Sequence, residues 1–211
     1  MEKRHQKDIE YDFAIPPYGT DYYHMSAETA KKYFQWFQAI IPERMQYLQQ
    51  RFCRDSGVHS DVFDYSANSL IPLWEWFCGI AVVVPTPDDE LEIMRQKATV
   101  FGKSYINYTK FSVGTKYVMR DIGIYLGQCF VKQYEPLSWT YFTKPKNNIN
   151  VNQPIITGFW VTGKYEGAAN YNPLSAVRGR AANIFEHKQN ANDLYETFVK
   201  WERYIPVSNH K

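Results

Sequence analysis

The sequence of 211 residues lacks a hydrophobic run long enough to cross a membrane. Its most apolar stretch, residues 70–84, contains Glu75 and is shorter than the roughly 20 apolar residues of a spanning helix. The charged opening, Met1 to Asp8, is followed by no apolar segment, so a secretory signal peptide is not expected. These absences predict a cytoplasmic protein that does not enter a membrane.

Cysteine is also scarce. The three cysteines, Cys53, Cys78 and Cys129, form no C-x-x-C pair, and two of them lie among large apolar neighbours. This setting favours buried, reduced thiols over a disulfide framework. A nucleophilic cysteine is the alternative, but no neighbouring signature indicates one.

Established catalytic motifs are missing as well. The five histidines include two near the termini, and no Ser/His/Asp or Cys/His arrangement is evident. The glycines are too widely spaced for a phosphate loop or a dinucleotide fingerprint. We therefore assign no catalytic residue and no metal ligand, and we predict no cofactor.

What the chain has in quantity is apolar and aromatic surface, with 45% hydrophobic and 17% aromatic residues. That is enough to offset the entropy lost on ordering, so disorder is excluded. No repeat or flexible linker divides the sequence, and a single domain over residues 1–211 is expected. Within it, residues 1–25 carry tyrosines around Pro16 and Pro17, which predicts an extended arm packed on the body.

Spacings of three and four between apolar residues predict helices through the first two thirds of the chain. Ser26 begins a helix that Pro42 ends or kinks, and Pro42 also suits the start of a second segment to Cys53. Another helix begins at Ser69. The next begins at Thr86, with acids in its first turn, and continues to about Lys110.

The helix predicted over residues 113–133 is apolar over most of its circumference. Gly123 and Gly127 lie four residues apart within it, a spacing that permits close approach by another helix. Asp121 is its only acidic residue. We expect Asp121 to be a buried partner of an arginine or tyrosine, with a role as general base as the alternative.

The pattern changes after Pro136. Segments 137–142 and 154–161 are rich in β-branched and aromatic residues and predict two paired strands, with turn-rich loops at 144–152 and 163–171. Helices are predicted over residues 172–187 and from Asn192. The fold class is therefore α+β and mostly α, with a small antiparallel sheet near the C-terminal third.

Charge is distributed unevenly, although the net charge is only +2. Residues 55–92 contain eight acidic residues and no lysine or arginine. These acids either complement a helix N-terminus and pair with nearby bases, or form a docking face for a basic protein partner. The candidate partner-binding residues are Asp61, Asp64, Asp88, Asp89, Glu90 and Glu92.

Two other patterns bear on metal binding and on nucleic-acid binding. His59, Asp61 and Asp64 lie together in one loop, where they suit a metal or a general base, but their spacing matches no established zinc or calcium loop. Basic residues alternate with aromatic ones between Arg95 and Lys132, which superficially resembles a nucleic-acid surface. Those aromatics fall on a helical apolar stripe, so a nucleic-acid partner is not expected.

Several segments resemble a group of small bacterial proteins, some of which are similar to immunity proteins of polymorphic or contact-dependent toxin systems. The segments are Ala30-x-x-Tyr33-x-x-Trp36-Phe37 with Ile41-Pro42-Glu43-Arg44, Asp64-Tyr65-Ser66 with Ser69 to Trp74, Asp121 to Gly127, Trp139, and Asn152-Gln153-Pro154. The resemblance implies a non-enzymatic cytoplasmic protein that neutralises a cognate toxin by binding it. An acidic face would suit a basic toxin domain. The alternative is a hydrolase or transferase that uses Asp61, Asp64 or Asp121.

Overall fold

The computed structural model describes residues 8–101, 106–164 and 166–206. Within these ranges the fold is mostly helical, and the predicted α+β class is confirmed. The helices are α1 (Ala27–Ser56), α2 (Leu70–Ile80), α3 (Asp88–Phe101), α4 (Val113–Gln133), α5 (Pro173–Ala181) and α6 (Asp193–Glu202). The strands are β1 (Val83–Pro85), β2 (Thr109–Phe111), β3 (Ser138–Thr140), β4 (Ile155–Val161) and β5 (Gly167–Tyr171). No helix among them is long and apolar enough to cross a membrane.

Helix α1 continues through Pro42. Of the two outcomes expected at this proline, an end of the helix is therefore wrong. The residues on both sides, Phe37 and Met45, are buried in the same core, and this packing holds the segments in one helix. The Ser26 hydroxyl accepts a hydrogen bond from Thr29 N at 3.0 Å, and Gly57 ends the helix in the left-handed conformation.

Helix α4 is the centre of the fold and has the bounds that its apolar pattern predicts. A Cβ atom at Gly123 would lie 2.8 Å from Leu174 Cα in α5, so close approach by another helix is confirmed there. At Gly127 a Cβ atom would lie 2.1 Å from the Trp139 indole of β3. The second glycine therefore makes room for an aromatic ring and not for a helix.

Strands β1 and β2 pair antiparallel, with Val84 opposite Lys110, and α3 lies in the connection between them. Thr86 N donates to Tyr108 O at 2.9 Å, and Thr86 Oγ1 donates to Asn107 O at 2.7 Å, so both ends of the connection are joined. Among residues 88–98, Leu91 is the one buried side chain of α3.

The prediction of one helix from Thr86 to Lys110 is wrong at its C-terminal end. α3 ends at Phe101, residues 102–105 lie outside the described ranges, and Thr109–Phe111 is a strand. Residues 109–111 form a strand and not a helix because their backbone pairs with β1. In this arrangement Phe111 is buried and Tyr108 is 65% exposed. Three-residue strands carry too little periodicity for the sequence to reveal them.

The second sheet has the order β3-β4-β5 and is antiparallel. The pairing of β3 with β4 confirms the two predicted strands, whereas β5 replaces most of the predicted loop at 163–171. Gly158 produces an irregularity between Ile156 and Phe159, with φ of 106° and a Cβ position 2.2 Å from Pro136 O. Only glycine fits there without displacing the backbone. The sheet packs its aromatic residues against α4 and α6.

Candidate functional site

Asp121 lies in the buried centre of the molecule and is fully occupied by neighbours. Arg44 of α1 donates to Asp121 Oδ2 through Nε at 2.9 Å and Nη2 at 2.7 Å. The Tyr11 hydroxyl donates to the same oxygen at 2.9 Å, and Arg120 reaches Oδ1 at 3.3 Å. The expectation that Asp121 pairs with an arginine or tyrosine is confirmed.

The same arginines hold the N-terminal segment, which the structure describes from residue 8 onward. Arg44 Nη2 donates to Asp12 O and Arg120 Nη1 donates to Ala14 O, both at 2.6 Å. The Phe13 ring stacks on Tyr117 with 3.8 Å between centroids. Carbonyls of the arm thus complete the hydrogen bonding of charges that are buried in the body.

Burial and charge alter the titration of this network in a consistent way. Burial raises the pKa of Tyr11 well above its usual range, and the neighbouring Asp121 carboxylate raises it further. Burial alone would lower the pKa of Arg44, but Asp121 and Tyr11 more than offset that effect, so the pKa is raised. Tyr11 stays neutral and Arg44 stays charged at neutral pH, as a permanent structural pair requires.

The candidate acids Asp61 and Asp64 lie on the surface and have local partners. Asp61 Oδ1 lies 2.9 Å from His59 Nδ1, and this contact lowers the pKa of Asp61. Asp64 Oδ1 accepts a hydrogen bond from Ser66 N at 2.8 Å. Among the described residues, no group of three histidines, cysteines or acids is placed to hold a metal ion.

The other four candidate acids form the acidic segment at the start of α3, which we define as Asp88, Asp89, Glu90 and Glu92. Glu90 pairs with Lys110 of β2, and Glu92 pairs with Arg95 at 3.3 Å. Asp88 and Asp89 are exposed and have no ion pair in the described ranges. Half of the segment is thus neutralised locally, and half presents its charge to solvent.

Helix α4 separates the two groups of acids. Tyr65, next to Asp64, donates its N–H to the Tyr125 hydroxyl at 3.0 Å. Val82, just before β1, donates its N–H to Thr115 Oγ1 at 2.9 Å. These anchor points are ten positions apart on α4, about 15 Å along the helix axis. The structure therefore attaches the acidic segment near the N-terminal end of α4, and Asp61 and Asp64 at its C-terminal half.

A cleft of about 1260 Å³ lies between the N-terminal arm, β2, the first half of α4, and α5. Its apolar lining includes Ile15, Met94, Phe111, Tyr117, Met119, Leu174 and Phe185. Among the described residues, four basic ones also line it, namely Lys110, Lys116, Arg120 and Arg178, against one acidic residue, Glu186. Apolar walls combined with charges of one sign are typical of a binding site for small molecules.

The four bases differ in how far they are committed to other contacts. Lys110 is paired with Glu90, and Arg120 holds Ala14 O and Asp121. Lys116 and Arg178 are exposed, and neither side chain makes a hydrogen bond or an ion pair within the described part of the chain. These two cations are available to a ligand.

Two tyrosines whose hydroxyls are in contact, Tyr22 and Tyr33, line the cleft. Tyr22 and Tyr33 lie 2.8 Å apart, oxygen to oxygen. Burial raises the pKa of both tyrosines, and the positive charges of Arg120 and Arg178 act in the opposite direction. The hydroxyl pair therefore lies within the field of both guanidinium groups.

The sequence alone gave only a partial view of the cleft. Lys110, Lys116 and Arg120 belong to the basic and aromatic pattern that superficially resembles a nucleic-acid surface. No pattern in the sequence connects Arg178, Tyr22 or Tyr33 with these basic residues, because they are far from them in the chain. The sequence shows that basic residues lie near tyrosines, but it does not indicate that these residues enclose a cleft.

No protein-family model, curated protein or solved structure matches the chain. The function must therefore be inferred from its own residues. The acidic segment and the cleft each contain charged side chains without an ion pair among the described residues.

Proposed function

We propose that the protein is a non-enzymatic binding protein that recognises a basic protein partner through the acidic segment of α3. The resemblance to immunity proteins supplies the class of partner, a bacterial toxin domain that the complex would neutralise. This proposal places the protein in the bacterial cytoplasm, where a producing cell needs protection.

The observation that carries the proposal is the exposure of Asp88 and Asp89 without an ion pair at the start of α3. Unpaired acids on a surface attract an oppositely charged partner and increase the association rate. Leu91 and the β1–β2 ladder hold the segment on the body, so its charges have a defined position. A partner would therefore meet a fixed arrangement of charge.

Asp61 and Asp64 belong to the proposed interface as a second contribution. Their anchor on α4 lies about 15 Å from that of the acidic segment, and an interface of standard size, about 800 Å² per partner, extends further than this. Because both acids already have local partners, we expect each to contribute less than Asp88 or Asp89.

The alternative function, a carboxylate-dependent hydrolase or transferase, has a weaker basis. Asp121 is fully buried and does not line the cleft, and its two oxygens already accept hydrogen bonds from Tyr11, Arg44 and Arg120. A general base needs access to a substrate proton, which this position does not offer. Nothing in the described residues favours the enzyme over the binding protein.

Gene context is the first test. An immunity gene should lie directly downstream of a large gene whose product ends in a variable toxin domain. A gene that stands alone among metabolic enzymes would count against the proposal. Where a toxin domain is found, its purified form provides the partner for a binding measurement.

The second test measures the association rate of that toxin domain by surface plasmon resonance at several salt concentrations. The double variant Asp88→Asn with Asp89→Asn should associate about tenfold more slowly at low salt and lose most of the salt dependence. The matched control is Glu75→Gln, which removes one exposed charge of the same acidic stretch on α2. Unchanged association of a folded double variant would remove the acidic segment from the interface.

A further inference from the structure

The cleft has a chemical character that the proposed function does not use. Its described lining contains four basic residues and one acidic residue, and that acid, Glu186, is already paired with Lys188 at 2.7 Å. A cavity lined with apolar groups and unneutralised positive charge attracts an anion that also has an apolar part. A basic protein partner is the opposite in charge, so the two surfaces have different occupants.

The tyrosine pair adds a hydrogen-bond donor to this cleft. In a contact between two hydroxyls only one hydrogen lies between the oxygens. The other hydroxyl hydrogen of Tyr22 and Tyr33 has no acceptor among the described residues. Arg178 lines the same cleft as both tyrosines, and its positive charge acts to lower the pKa of each. An anionic oxygen at this position would receive a hydrogen bond from a tyrosine and a charge-assisted one from Arg178.

We propose that the cleft binds a small organic anion, an acidic head group attached to an apolar or aromatic body. The head group faces Arg178 and the tyrosine pair, with Lys116 adding a second positive charge. The body packs against the apolar lining, which includes Tyr117, Leu174 and Phe185. The volume of about 1260 Å³ accommodates a ligand of drug-like size, for which sites of roughly 300–1,000 Å³ are typical.

A nucleic acid fits these observations less well than a small anion. Binding to a phosphate backbone requires a positive surface that extends along the strand. Here Lys116 and Arg178 lie within one cleft, and the net charge of the whole chain is only +2. The anion expected is therefore small enough to enter the cavity.

The test uses two fluorescent probes that differ by one charged group. The first is 8-anilinonaphthalene-1-sulfonate, an aromatic anion, and the second is uncharged N-phenyl-1-naphthylamine, which lacks the sulfonate. Fluorescence titration of the full chain at neutral pH should show one saturable site that binds the anion more tightly. Added salt should weaken binding of the anion and leave the neutral probe unaffected.

Three variants locate the site. Arg178→Gln should weaken binding of the anionic probe about tenfold and leave binding of the neutral probe unchanged, because only the charge-assisted contact is lost. Arg203→Gln, an exposed arginine that does not line the cleft, is the matched control and should change neither. Ala182→Trp fills space at the cleft wall and should weaken both probes.

The Arg178 side chain is exposed and makes no hydrogen bond or ion pair among the described residues, so its variant should remain folded, and a thermal melt by circular dichroism verifies this. The proposal is overturned if the two probes bind wild-type protein equally, or if Arg178→Gln leaves the anionic probe unaffected. It is also overturned if Ala182→Trp leaves both probes bound, because the site would then lie outside the cleft. None of these results depends on the toxin domain, so failure here and failure of the proposed function are separate outcomes.

Discussion

The guanidinium of Arg44 and the carboxylate of Asp121 lie 2.7 Å apart, and neither side chain is more than 1% exposed. The pair joins α1 to α4 across 77 positions of sequence. Charges buried this deeply are tolerated only when their hydrogen bonds are satisfied, and Tyr11 and the Asp12 carbonyl complete the set. The N-terminal arm is therefore part of the electrostatic balance of the core.

Asp121→Asn should lower the free energy of unfolding by about 3 kcal/mol, because it removes the buried opposite charge that lies against Arg44. The matched control is Asp12→Asn, whose side chain is 69% exposed and lies 3.6 Å from Arg44. That change should cost less than about 1 kcal/mol. Urea unfolding of the three proteins measures the difference, and equal stability of the two variants would contradict a structural role for the buried pair.

Two tyrosine variants separate a hydroxyl that has a partner from one that has none. Tyr11→Phe removes the donor to Asp121 and should cost about 2 kcal/mol, as expected for a hydrogen bond to a charged group. Tyr171 is buried and its hydroxyl has no partner in the structure. Tyr171→Phe should therefore leave stability unchanged or raise it by up to about 1 kcal/mol. Thermal or urea unfolding at neutral pH measures the stability of both variants. The prediction requires Tyr11→Phe to be less stable than Tyr171→Phe.

Stability should decrease in alkaline solution. Burial raises the pKa of Tyr171, and burial with Glu202 nearby raises the pKa of Tyr134 to about 12. An unfolded tyrosine ionises near pH 10, so above that pH the unfolded state loses protons that the folded state retains. The stabilisation is complete below about pH 10 and is lost as the pH rises toward the folded values.

For each such tyrosine, the free energy of unfolding should fall by about 1.4 kcal/mol per pH unit above pH 10. Urea midpoints measured from pH 8 to about pH 11 reveal the slope. Tyr171→Phe should make it shallower while leaving the curve below about pH 9 parallel to that of the wild type. A slope that does not respond to this variant would show that Tyr171 ionises normally in the folded protein.

Gly127 and Gly79 provide a matched pair within helices. A Cβ atom at Gly127 would enter the Trp139 indole, so Gly127→Ala should cost about 1–3 kcal/mol by overpacking. At Gly79 in α2 nothing lies within 4 Å of the added atom, and alanine should stabilise by about 0.5 kcal/mol through helix propensity. Opposite signs in urea unfolding are expected. Stabilisation by both variants would mean that Trp139 moves aside without cost.

Local patterns in the sequence were enough to predict both ends of helix α4. The bounds of α4 follow from its apolar residues and from Ser112, which accepts a hydrogen bond from Thr115 N. The strands β3 and β4 follow from their β-branched and aromatic residues. Strand β5 was not predicted because Gly167 to Tyr171 is rich in glycine, alanine and asparagine, and these residue types favour a loop. Its strand conformation comes from pairing with β4, a contact that no local pattern contains.

The candidate sites illustrate the same limit. Asp121 was recognisable as an acid within an apolar helix, but its partner Arg44 lies 77 positions away and nothing local connects them. The cleft is even harder to predict from the sequence, because Tyr22, Lys116 and Arg178 come from three separate parts of the chain. Exposure of Asp88 and Asp89 was consistent with their charge, whereas the pairing of Glu90 with Lys110 depends on a strand that the sequence did not reveal.

The closed connection that holds α3 has an evolutionary consequence. Because Thr86 and Tyr108 are hydrogen-bonded to each other, the chain leaves the body and returns to it at almost the same point. Such an excursion tolerates changes in length and sequence without disturbing the core, since the ladder between β1 and β2 fixes its ends. If recognition resides in α3, new specificities can arise by exchanging this one segment while the rest of the fold remains constant. Related chains should then vary most between these two strands.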